Sequence, residues 1–124
     1  FIGQALAGAP LTVAGDGQQT RSVCYVDDLV AGVLAVAGSG LSGPVNVGSP
    51  EEMSVLDIAH RIVAACDSAS EIRFMDRAVD DPRVRRPDTS LIEAELQWRA
   101  KVSFADGIAR TVEWFRRVSP VQVA

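Results

Sequence analysis

The spacing of apolar residues changes period along the chain. Residues 1–8, "FIGQALAG", read as the end of an amphipathic helix stopped by Gly8 and Pro10. "LTVA" is a short β-type run that ends in the turn Gly15-Asp16-Gly17. "RSVCYV", residues 21–26, is β-branched and aromatic and predicts extended chain. Asp27 or its neighbour is placed to cap a helix running to about Ala37. The apolar residues of that helix, Leu29, Val30, Val33, Leu34 and Val36, cover most of its circumference, so it should be buried on more than one side.

Beyond a loop from Gly38 to Pro44, "VNVG" predicts a short strand. Ser54 followed by Asp57 is a capping-box variant. Behind it Val55, Ile58, Ala59, Ile62 and Val63 form one helical stripe, off which His60 falls. "EIRFM", residues 71–75, predicts another strand, and "DRAVDDPRVRRPDTS" a charged, proline-marked surface loop. A short helix should start at Asp88 or Thr89 and run through Leu96. A last amphipathic helix groups Phe104, Ile108, Thr111, Val112 and Phe115, with Ser103 as its N-cap. The expected class is α/β, with short strands and about five helices.

At 124 residues the chain suffices for one domain. The net charge of −4 argues against nucleic acid as a partner. No apolar run approaches the ~18 residues of a membrane span, so no membrane partner is expected. Cys24 and Cys66 lie far apart in apolar runs and read as small buried hydrophobes in a reducing, cytoplasmic setting. The missing initial methionine suggests a fragment of a longer protein.

No complete catalytic constellation is visible. His60 has no obvious partner, Tyr25 has no lysine four residues on, and "GDG" lacks the spacing of a dinucleotide-binding loop. The pairs Asp27-Asp28 and Asp80-Asp81 are explained by helix capping and loop solvation. Anion chemistry is better represented. Arg83, Arg85 and Arg86 lie close together beside stiffening prolines, and Arg21 precedes a segment that wants to be buried. Guanidinium groups hold phosphate bidentately. The alternative is that the three loop arginines pair with Asp80, Asp81 and Asp88.

Three stretches carry a resemblance: "QALAGAPLTVAGDGQQTRSVCYVDDLVAGVLAV", "GPVNVGSPEEMSVLDIAHRIV" and "DDPRVRRPDTSLIEAELQWRAKVSFADGIARTVEWF". In order and spacing they resemble the C-terminal part of the extended short-chain dehydrogenase/reductase family. These are NAD-dependent nucleotide-sugar epimerases, dehydratases and decarboxylases, and the decarboxylases look closest. The resemblance spans about residues 1–118. It implies that the Rossmann half, with its NAD loop and Tyr-x-x-x-Lys pair, is absent from this chain. NAD would then be a cofactor of the full-length parent and would not be bound here.

The resemblance further implies a nucleotide diphosphate sugar, of UDP type, as ligand. Leu11, Thr12 and Val13 would lie along the base, Arg21 would reach the diphosphate, Asn46 would sit near the nucleotide, and Arg85 would complete the phosphate clamp. Residues of about 22–38 would pack on the missing Rossmann half or on a self-association partner. Where members usually read "VYGDG" this chain has Ala14, and where "RSF" or "RDW" is common it has Val23. A non-enzymatic nucleotide-sugar-binding or protein-interaction module is the rival reading.

Overall fold

A computed structural model describes residues 1–118. In chain order the elements are α1 (Ile2–Leu6), β1 (Leu11–Ala14), β2 (Thr20–Arg21), α2 (Val26–Ala37), β3 (Met53–Ser54), α3 (Val55–Ala65), β4 (Ile72–Met75), β5 (Val84–Arg85), α4 (Ser90–Leu96) and α5 (Phe104–Val118). They form an α/β fold with two small sheets. β1 pairs in parallel with β4, and β2 lies between antiparallel β3 and parallel β5.

The core forms where β1 meets α3 and α5. Leu11 and Val13 are fully buried among Ile58, Ala59 and Ile62 of α3 and Val112 of α5. Local sequence explains both helices. The Asp57 amide donates to Ser54 Oγ at 3.0 Å, and the Asp106 amide to Ser103 Oγ at 3.1 Å. Each cap satisfies an amide that the helix itself leaves free. The stripes beyond the caps face the core as their spacing predicts. At the far end, Arg116 Nη2 donates to the Cys66 carbonyl at 3.0 Å and ties α5 to the end of α3.

Three expectations are corrected. "VNVG" joins no ladder, because no strand lies alongside it among the described residues. Its Asn46 side chain donates to the Asp88 carbonyl at 3.1 Å instead. Of the extended run at 21–26, only Arg21 belongs to a strand, and Val26 is already helical. The Ser22 amide makes a last bond to the Arg85 carbonyl before the chain turns into α2. The N-cap of α2 is Tyr25, without a side-chain bond, so neither aspartate caps it. Asp28 Oδ2 accepts from the Lys101 and Val102 amides at 2.8 and 2.7 Å, and thereby fastens α2 to the approach of α5.

α2 touches the rest of the fold along one narrow face. Gly32 is its only buried residue. A Cβ there would stand 2.7 Å from the Trp98 ring and closer still to Val47. On the other faces Val26, Leu29, Val30, Val33 and Leu34 are exposed, Leu34 by 66%. No described residue covers them, although their pattern is that of a helix buried on more than one side.

Two outcomes follow for this helix. Gly32→Ala should destabilise by about 1–3 kcal/mol through overpacking. That exceeds the roughly 0.5–1 kcal/mol that replacing a helical glycine normally gains. An unchanged or higher urea midpoint would contradict the close approach. Asp28→Ala should cost about 1.5–3 kcal/mol, since two amides lose a charged acceptor. Asp27→Ala should cost less than about 1 kcal/mol, the value of a charge near a helix N-terminus. Equal losses for the two variants would remove Asp28 from its anchoring role.

Candidate functional site

β2 brings together residues far apart in sequence. The Val55 amide donates to the Gln19 carbonyl at 2.9 Å on one side, and the Thr20 amide donates to the Arg83 carbonyl at 2.7 Å on the other. Before it, Gly15 and Gly17 turn at φ +62° and +73°. The turn needs both glycines. A Cβ on Gly17 would lie 2.8 Å from Leu56 Cβ, and one on Gly15 would press on the Arg77 stem at 3.2 Å. This turn leads into β2 and not into a helix N-terminus. Its space is filled by Arg77, Leu56 and Val13, so it does not fit the cradle that holds a dinucleotide.

The parallel pairing of β2 with β5 sets Arg21 directly opposite Arg85. Paired residues of neighbouring strands project to one face, so two guanidinium groups are based side by side. Arg21 is largely buried, its side chain 20% exposed. Its Nη1 donates to the Pro82 carbonyl at 3.0 Å and to its neighbour's carbonyl, that of Thr20, at 2.6 Å. Its Nη2 pairs with Asp81 Oδ1. A guanidinium has five N–H donors. Among the described residues, Nε–H and one Nη2–H of Arg21 therefore remain free for a further acceptor. Arg85 is exposed and has no carboxylate within 4.0 Å among the described residues.

The expected pairing of the loop arginines with nearby aspartates takes another form. Asp81 binds Arg21 with one oxygen and Arg77 Nε with the other, at 3.2 Å. Arg86 lies 3.8 Å from Glu52. Arg83 makes no such pair among the described residues. Asp88 Oδ1 accepts from the Ser90 amide at 3.0 Å, and bonds from Ser90 hold its carboxyl below the usual range. Arg77 and Asp81 are the residues that sequence reasoning passed over as site components. The sequence gives no local signal for a partner of Arg21 sixty positions away.

The other expected site residues divide. Leu11 and Val13 are core side chains, and the Leu11 amide is engaged by the Glu71 carbonyl at 2.8 Å. Thr12 is exposed, with its amide and hydroxyl bonded to the Gln4 side chain at 3.3 and 3.0 Å. Asn46 is exposed and touches Asp88, in the loop that follows β5. Arg21 and Arg85 are thus brought together, Asn46 joins the same loop region, and Leu11 and Val13 serve the core. A cleft of about 510 Å³ opens beside Arg86, Asp88 and Glu93. A smaller apolar one of about 250 Å³ lies between Tyr25, Phe104 and Ile108. Cys24 lines the apolar cleft, and burial raises the pKa of its thiol.

The NAD dependent epimerase/dehydratase family matches residues 1–48. The fold superposes on UDP-glucose 4-epimerase of Thermotoga maritima, solved with UDP-glucose. The TM-score is 0.88 at 27% identity, covering 94% of this chain and 38% of that one. UDP-glucuronic acid 4-epimerase of Bacillus cereus, solved with UDP-glucuronic acid and NAD, gives 0.86 at 28% identity over the same shares, 94% and 38%. The chain is similar to the extended short-chain dehydrogenases/reductases and has the fold of a C-terminal portion of one. Among its relatives, UDP-glucuronic acid decarboxylase 1 of Danio rerio is 44% identical over 117 residues, 94% of this chain and 28% of the relative. UDP-glucuronic acid decarboxylase 1 of Arabidopsis thaliana is 40% identical over 116 residues, 94% of this chain and 27% of the relative. The chain thus spans less than a third of the length of these relatives.

Proposed function

We propose that this chain is the nucleotide-sugar-binding portion of an NAD-dependent enzyme of the UDP-glucuronate decarboxylase type. The observation that carries the reading is the register of β2 and β5, which seats Arg21 beside Arg85. Like charges at paired positions repel and cost stability unless an anion lies between them. A diphosphate supplies that anion. The two free donors of Arg21 and the whole guanidinium of Arg85 then form a clamp from two strands. As the resemblance implies, Asn46 would sit near the nucleotide and the strand Leu11–Val13 would lie along the base.

Holding the diphosphate fixes the sugar at a set distance, so binding energy far from the reacting carbon is used to orient it. The hydride chemistry would come from NAD held outside this chain. The exposed apolar face of α2 belongs against that other part of the protein, and the relatives' greater length supports this assignment. Free cysteines support a reducing, cytoplasmic setting.

Calorimetric titration with UDP on the complete protein tests the clamp. Arg21→Ala and Arg85→Ala should each weaken binding by about 1.5–3 kcal/mol, the value of a charge-assisted contact. Arg83→Ala should cost about 0–1 kcal/mol, like a solvated charge. Arg85→Ala breaks no ion pair among the described residues, so its effect is separable from misfolding. Equal affinity in all three variants would return both arginines to structural roles. The α2 assignment has its own test. Val33→Glu in the complete protein should destabilise by more than about 1.5 kcal/mol if that face is covered. A change within about 0.5 kcal/mol would mean the face is free.

A further inference from the structure

Asp81 is an unusual companion for an anion site. Its two oxygens are divided between Arg21 and Arg77, and the three side chains are each only 20–24% exposed. Orientation of Arg21 does not depend on this carboxylate alone, because the Pro82 and Thr20 carbonyls already hold Nη1. Arg77 is likewise fixed twice over. Its stem lies on Gly15, and its Nη2 donates to the Asp81 backbone carbonyl. What the Asp81 side chain adds, beyond geometry, is one negative charge where the proposed ligand brings several.

A diphosphate that is esterified at both ends carries two negative charges near neutral pH. A diphosphate with a free terminal phosphate carries a third above a pKa of about 6. A fixed carboxylate beside the site repels each ligand charge, and so it acts more strongly on the trianion than on the dianion. We propose that Asp81 is a specificity-determining residue that favours the nucleoside diphosphate diester of a sugar over the free nucleoside diphosphate. This rests on the reading of Arg21 and Arg85 as a diphosphate clamp. Arg77 works in the opposite sense, since its charge partly cancels that of Asp81. The balance between them sets how far a bare nucleoside diphosphate competes for the site.

The test is a ratio of affinities for UDP and UDP-glucose, measured on the complete protein at about pH 8, where the terminal phosphate is fully ionised. Asp81→Asn preserves shape and removes the charge. It should shift the ratio toward UDP by about three- to ten-fold. Arg77→Gln should shift it the other way. A purely structural role would weaken both ligands in parallel, so an unchanged ratio in both variants overturns the proposal. A shift of the same sign in both also overturns it. If the unmodified protein binds neither ligand, the clamp itself is wrong and the proposal falls with it. Normal clamp binding with an unchanged ratio removes only the role given to Asp81.

Discussion

β2 is two residues long and is paired on both edges, and the arrangement of the site depends on that double pairing. A strand this short has little stability of its own. It persists because its neighbours are anchored elsewhere. β3 runs without a break into α3, whose stripe is buried against β1. β5 is held by the Thr20 and Ser22 amides and by the Arg21–Asp81 pair just before it. The hydrophobic core therefore reaches the arginines through α3 and β3. The loop carrying Arg85 is placed mainly by backbone bonds and charge pairing.

The same economy is missing at α2. Among the described residues, its tight contact is the bare Gly32 backbone against Trp98 and Val47, and its strong tether is Asp28. Burying a large aliphatic side chain is worth about 1.5–3 kcal/mol, so five exposed ones represent a large unused driving force. The interface proposed for this face would draw on that driving force. Its sequence is apolar on faces that the described residues of this fold leave open.

Much of the fold was legible where the signal is local. Ser54 with Asp57 and Ser103 with Asp106 sit within one helical turn, so caps and stripes identify α3 and α5 directly. β1 and β4 were readable from short apolar runs between turn residues. What failed was non-local. "VNVG" has strand composition, but pairing needs a neighbour, which composition cannot provide. Asp27 and Asp28 look alike in sequence, yet only Asp28 faces the amides of residues 101 and 102. For the site, the arginines themselves were visible. Their register was not, because it follows from how β5 returns to β2 across more than sixty residues. The resemblance to a family named Arg21 and Arg85, but it did not name Asp81 or Arg77.

The apparent conflict in this cluster follows from its chemistry. Side-by-side arginines are unfavourable in a fold that only needs to be stable, and local rules would place an acid opposite one of them. Here the acid is present as Asp81, but it is shared between Arg21 and Arg77, leaving Arg85 unneutralised among the described residues. In the proposed clamp, stability and anion recognition would fall to different atoms of the same guanidinium. Nη1 and half of Nη2 of Arg21 face carbonyls and a carboxylate of the fold. The remaining N–H groups, together with Arg85, have no partner among the described residues and are the ones the proposed clamp would use. In that proposal Asp81 would be both a stabilising partner and a source of repulsion for the anion, two effects of one charge.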